Sequence, residues 1–218
     1  MWRTMVCLGL LANFPALCAA QEAAADKWEK SIAAFEAKDR SSPPPVGGIV
    51  FIGSSSIRGW DLVKSFPDLP AINRGFGGSQ LADSVKYVPR IVIPYRPSTV
   101  VLYAGDNDIP AGKSPQRIAN DFAAFVAAVR SELPDAKIIF LAIKPSPSRW
   151  KHYEQQQAAN ELVRKQCEAG KNLVYLDLVT PMLGGDGMPR KELFVKDQLH
   201  LSADGYALWA RLLSPHLK

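Results

Sequence analysis

The sequence predicts an α/β protein: a three-layer α/β/α sandwich around a five-stranded parallel sheet. Three observations point there. Short apolar runs recur along the chain without polar alternation, the pattern of strands buried on both faces. Segments with apolar residues at helical spacing lie between the later runs. The two kinds of segment alternate, as strands and crossover helices do in a parallel sheet. At 218 residues the chain is long enough for one large domain and short for two.

The first twenty residues read as something other than fold. Arg3 supplies a positive charge, residues 5–17 are apolar except where Asn13 and Pro15 break the run, and Cys18-Ala19-Ala20 precede Gln21. That is the layout of a secretory signal peptide. Its apolar stretch is shorter than the roughly 20 residues a spanning helix needs. Residues 1–20 are therefore expected to be removed, leaving a periplasmic or secreted protein with no stable membrane insertion. Removal takes Cys7 and Cys18 and leaves Cys167 alone, so the mature chain has no internal disulfide. Cys167 falls in a helical pattern and is read as a packing residue.

Residues 21–45 are expected to form a leading helix and a linker, ahead of a main domain at 46–218. The helix covers residues 26–38, where Trp28, Ile32 and Phe35 have helical spacing. Ser41-Ser42-Pro43-Pro44-Pro45 is stiff, because proline fixes its own backbone and restricts the residue before it. Strands follow at 48–52, more weakly at 71–74, then at 99–103, 137–143 and 172–177. A helix at 115–133 places Ile118, Phe122, Phe125, Val126 and Val129 on one face, and another covers 153–169. Ser202 can cap a last helix through Leu213.

Composition narrows the function. The net charge is +5 with no dense Lys/Arg cluster, so nucleic-acid binding is not indicated. An apolar content of 47% excludes a wholly disordered chain, and a mean hydropathy near zero excludes a multi-span membrane protein.

In sheets of this kind ligands bind at the carboxyl ends of the strands. After strand one comes Gly53-Ser54-Ser55-Ser56, and after strand two Gly75-Phe76-Gly77-Gly78-Ser79. Gly105-Asp106-Asn107-Asp108 follows strand three, and Asp197-Gln198-Leu199-His200 lies in a long loop after strand five. A serine hydroxyl, glycine amides, a carboxamide and an Asp/His pair would share one rim. Extended to Phe51-Ile52 and Asn73-Arg74, these four ordered runs resemble the blocks of the SGNH (GDSL-type) serine hydrolases over about residues 46–213. Each block alone is weak; their order after predicted strands is specific.

The resemblance implies a flavodoxin-like fold, ester hydrolysis and roles for individual positions. Ser55 is the expected nucleophile, since the block alignment selects it from three adjacent serines that chemistry alone leaves open. Ser54 stands where the family more often has Asp, and keeps a hydroxyl able to bond the loop backbone. His200 is the expected general base, because imidazole titrates near neutrality. Asp197, three residues earlier, can reach the other ring nitrogen and fix the tautomer. The expected oxyanion donors are the Ser55 amide, the Gly78 amide and the Asn107 side chain, with Gly77 replacing Gly78 if the register slips by one.

Other chemistries fail on spacing. Gly-x-Ser-x-Gly, a phosphate loop, His-Glu-x-x-His and a zinc cysteine pair are all absent, and Gly75-x-Gly77-x-x-Gln80 lacks the third glycine of a dinucleotide fingerprint. Asp106 and Asp108 do not continue as a calcium loop and are read as solvated, so neither a metal nor a cofactor is expected. Arg58 and Trp60 approach from the first loop, while Arg149 and Trp150 follow strand four. Trp60, Arg149 and Trp150 are therefore candidates to bind substrate: Arg149 for an anion, the tryptophans for a sugar or acyl chain. No apolar flap is evident. The partner is expected to be a small ester or acylated carbohydrate. An acyltransferase, a lysophospholipase and a non-catalytic carbohydrate-binding module are the alternatives.

Overall fold

The computed structural model describes residues 26–217, so the segment expected to be a signal peptide lies outside the described residues. In chain order the elements are α1 (Glu29–Ser41), β1 (Ile49–Gly53), α2 (Ser55–Arg58), α3 (Leu62–Ser65), β2 (Ala71–Gly75), α4 (Leu81–Ile91), β3 (Thr99–Tyr103), α5 (Pro115–Arg130), β4 (Lys137–Leu141), α6 (Tyr153–Ala169), β5 (Leu173–Leu176), α7 (Val179–Met182) and α8 (Ala203–Leu213). All five strands are parallel, in the order β2-β1-β3-β4-β5. The sheet order reverses direction at β1 and β3, which opens a crevice above their carboxyl ends.

Side chains alternate across the sheet, so each strand feeds two cores. Val50, Ile52, Val100, Leu102, Ile138 and Phe140 pack under α1, α4, α5 and α6. Ile49, Phe51, Val101, Tyr103, Ile139 and Leu141 face α2, α3, α7 and α8. Burial on both faces accounts for the unbroken apolar runs in the sequence.

The five expected strands are present, with ends moved by one or two residues. Three features differ from the sequence reading. The leading helix belongs to the domain: Ile32 is fully buried in the core and Arg90 of α4 bonds both Glu29 and Glu36. Helix α4, absent from the sequence reading although Leu81, Val85, Val88 and Ile91 recur at helical spacing, starts at a reciprocal cap between Gln80 and Asp83 and holds Pro89 in its last turns. The tract at 137–143 leaves the sheet after Leu141. Among the described residues no helix is long and apolar enough to cross a membrane.

Candidate active site

The turn after β1 presents Ser55. Gly53 has φ +140°, and a side chain there would meet the Tyr103 carbonyl oxygen at 1.9 Å. Only glycine lets β1 pass β3 this closely and then turn away. The Ser54 amide donates to the Tyr103 carbonyl at 3.0 Å, and Ser55 opens the single turn of α2. The Ser54 hydroxyl makes no capping hydrogen bond, contrary to the expectation that it supports the loop. Other side chains hold α2 in place. Asn73 Nδ2 donates to the carbonyls of Ile57 (2.6 Å) and Trp60 (3.0 Å), and the Tyr206 hydroxyl of α8 donates to that of Ser56 (3.0 Å). Sequence patterning does not mark Tyr206; a half-buried tyrosine in an amphipathic helix gives no signal of its bond.

His200 reaches Ser55 from a tight turn. Val195 N–H donates to the His200 carbonyl, Gln198 N–H returns to that of Val195, and Gln198 adopts φ +55°. Asp197 organises this turn with both oxygens. Its Oδ1 accepts the amides of Leu199 and His200, each at 2.9 Å, while Oδ2 lies 2.6 Å from His200 Nδ1. The other ring nitrogen, Nε2, is 3.0 Å from Ser55 Oγ. The bond from the imidazole, with those from the two amides, pulls the Asp197 carboxyl down to about 2. It is therefore charged at neutral pH, which assigns the proton to Nδ1 and leaves Nε2 to accept from Ser55. The pair is open to solvent: the side chains of His200 and Asp197 are 41% and 49% exposed.

Gly78 and Asn107 lie on the facing loops. Gly78 has φ +78°, and its amide, like that of Ser55, has no acceptor among the described residues. Asn107 Nδ2 donates one hydrogen to the carbonyl of neighbouring Ser79 at 2.9 Å, leaving a second hydrogen free. The buried Asp108 carboxylate accepts the Leu81 amide and binds Lys113, tying this loop to the start of α4. Burial pushes the Asp108 carboxyl up despite Lys113.

Several assignments change. Asp106 and Asp108 are 4% and 0% exposed, so the solvated-loop reading is wrong for both. Trp60 is 3% exposed and packs against Phe51, Phe66, Tyr206 and Trp209, with its ring nitrogen on Ser65; it is a core residue, not a substrate contact. Arg149 is already engaged, with Nη1 on the Asp106 carboxylate (2.8 Å) and Nη2 on Asn107 Oδ1 (3.0 Å), so it is no free anion site. Trp150 remains half-buried, stacked on Tyr153 at 4.3 Å. Its segment borders the His200 turn, because Ser148 N–H donates to the Gln198 carbonyl. Among the described residues no three His, Cys, Asp or Glu side chains gather into a metal-binding group.

A serine oxygen bonded to an imidazole that is bonded to a carboxylate can lose its proton as it attacks. Comparison with known proteins agrees with that chemistry. Residues 51–208 match the model of the GDSL-like Lipase/Acylhydrolase family. The platelet-activating factor acetylhydrolase IB subunit alpha2 of Rattus norvegicus is 25% identical over 193 residues, 84% of this chain and 80% of its own. A Streptococcus pneumonia structure, described as a candidate platelet activating factor, superposes with TM-score 0.78 at 22% identity, over 88% of this chain and 94% of its own. A GDSL-like lipase from Bacteroides thetaiotaomicron does so with TM-score 0.70 at 18% identity, over 85% and 96%. At these identities the structural likenesses speak for the fold, and the family match speaks for the chemistry: the chain belongs to the GDSL-like lipase/acylhydrolase family of ester-hydrolysing enzymes.

Proposed function

We propose that the protein is an exported serine esterase that removes short acyl groups, acetyl foremost, from small esters and acylated carbohydrates. The observation that carries this is the hydrogen-bonded line Asp197–His200–Ser55. Ser55 Oγ attacks the ester carbonyl while its proton passes to His200 Nε2. Asp197 stabilises the resulting imidazolium. The carbonyl oxygen becomes an oxyanion that accepts from the amides of Ser55 and Gly78 and from Asn107 Nδ2. His200 then gives its proton to the departing alkoxide, leaving an acyl group on Ser55. Water repeats the sequence: His200 takes its proton, hydroxide oxygen bonds the acyl carbon, and the Ser55 oxygen leaves and is reprotonated.

The substrate class rests on the rim. The exposure of His200 and Asp197 favours water as acyl acceptor over a transferase reaction, which needs water kept out. The half-buried Trp150–Tyr153 stack beside the His200 turn offers an aromatic surface to a sugar ring. An acetylhydrolase among the relatives supports a short acyl group.

The test is hydrolysis of p-nitrophenyl esters from acetate to octanoate, and of glucose pentaacetate, by the protein beginning at Gln21 and by its Ser55→Ala variant. Acetate is expected to be the best acyl group. The variant is expected to lose roughly 10⁴-fold or more in kcat. Equal rates in both proteins would reject Ser55 as nucleophile.

A further inference from the structure

We propose that Arg149 is a positioning residue for ester hydrolysis: clamped by the buried Asp106–Lys144 pair, its guanidinium fixes and polarises the Asn107 carboxamide that receives the oxyanion. The inference rests on the esterase reading given above.

The geometry begins with the two ends of the amide. Asn107 Nδ2 donates to the Ser79 carbonyl at 2.9 Å, and Oδ1 accepts from Arg149 Nη2 at 3.0 Å. A flipped amide would set its NH2 against the guanidinium donors and its oxygen against the Ser79 carbonyl. Both contacts would be repulsive, so Arg149 and Ser79 together permit one orientation. That orientation keeps the second Nδ2 hydrogen available. A carboxamide whose oxygen accepts from a cation is also a stronger donor at nitrogen, because hydrogen bonds in series polarise one another.

Arg149 is in turn held from behind. Its Nη1 lies 2.8 Å from Asp106 Oδ1 and also donates to the Asp106 carbonyl. Lys144 Nζ lies 2.5 Å from Asp106 Oδ2, and both it and Tyr103, whose hydroxyl is 3.2 Å from each of them, are buried. Gln156 Nε2 adds a longer bond at 3.4 Å. Burial by itself would raise the Asp106 carboxyl, yet the charges of Lys144 and Arg149 outweigh it and hold the carboxyl below its ordinary value. One carboxylate therefore faces two cations. The three charges sum to a positive excess around a buried carboxylate, and Arg149 delivers it to the Asn107 amide through Oδ1. Fixed charge of that kind acts without reorganisation during the reaction.

The experiment is a double-mutant cycle on p-nitrophenyl acetate with the parent, Arg149→Met, Asn107→Ala and the double variant, with Ser55→Ala alongside. Arg149→Met is expected to lower kcat about 10-fold, part of the 10²–10³ that a lost oxyanion donor costs, with KM little changed. In the Asn107→Ala background the same substitution is expected to change kcat less than about 2-fold, since its route to the reaction is gone. Arg149→Lys, which restores one charged donor, is expected to recover part of the loss. It also keeps the cycle readable if the methionine variant fails to fold. Equal factors in both backgrounds would overturn the inference. So would a rise in KM at constant kcat, the mark of a substrate anion held by Arg149. If Ser55→Ala matches the parent, the esterase reading itself falls; if Ser55→Ala is inactive and the cycle is additive, only the role of Arg149 falls.

Discussion

Asp197 does two jobs with one carboxylate, and the second was invisible in the sequence. Asp-x-x-His spacing suggests a partner for the imidazole, but not that Oδ1 accepts two amides and so builds the turn. A carboxyl held at about 2 stabilises the folded form above about pH 4 and loses that advantage as pH falls toward 2. Asp197 therefore stays charged across any practical assay range. An acid-side decline of activity above pH 4 is therefore not expected to come from Asp197. Asp197→Asn places an amide beside Nδ1; donation from that amide would move the ring proton to Nε2 and block acceptance from Ser55. Its kcat is expected to fall about 10²–10⁴-fold, measured across pH 5–9 on p-nitrophenyl acetate. A variant within a factor of two of the parent would exclude Asp197 from the proton chain. Four blocks in order single out Ser55, His200, Gly78 and Asn107, and the structure sets Ser55 within hydrogen-bond reach of His200. Arg149 was misread because its meaning depends on Asp106 and Lys144 being buried, and sequence lists charges without their solvation. The clue available was Lys144, set directly after an unbroken apolar run.

Among elements, the β1–α2 junction is the most constrained. Gly53 faces the β3 backbone, so Gly53→Ala needs the two strand ends to separate or the turn to refold. A loss of about 2–4 kcal/mol is expected, read as a lower urea midpoint. Slower labelling of Ser55 by a serine-directed phosphonate is expected in the fraction still folded. A variant with parental midpoint and labelling rate would show that the close approach is not needed. The strands were readable because burial on both faces writes itself as runs of Val, Ile, Leu and Phe. Helix α4 was not. Its apolar residues do recur at helical spacing (Leu81, Val85, Val88 and Ile91), but Pro89 reads as a helix breaker, and its capping pair, Gln80 with Asp83, is not the Ser/Thr-with-Glu pattern that announces a helix start. Trp60 illustrates the converse error: an aromatic near a reactive loop was assigned to substrate, whereas four neighbouring rings enclose it.

At the scale of the whole molecule, the division into a leading segment and a hydrolase domain dissolves. Helix α1 covers α4 with Ile32 and anchors β2 through the Asp39–Arg74 ion pair, while Trp28 packs edge-on against Phe76 beside the glycine loop. Ile32→Ala is expected to cost about 2–4 kcal/mol, measured by urea unfolding; a cost below about 0.5 kcal/mol would make α1 a dispensable appendage. The sequence reading places the amphipathic helix α1 but omits α4, the partner it packs on. The bond between Ser55 and His200 spans 145 residues of chain, and this has a consequence in time. The last strand ends at Leu176, so a chain stalled there during synthesis already holds the strands, the serine turn, the glycine loop and the carboxamide. It still lacks His200 and Asp197. Under the proposed mechanism, ester cleavage therefore waits for the final segment to emerge and bring His200 to Ser55.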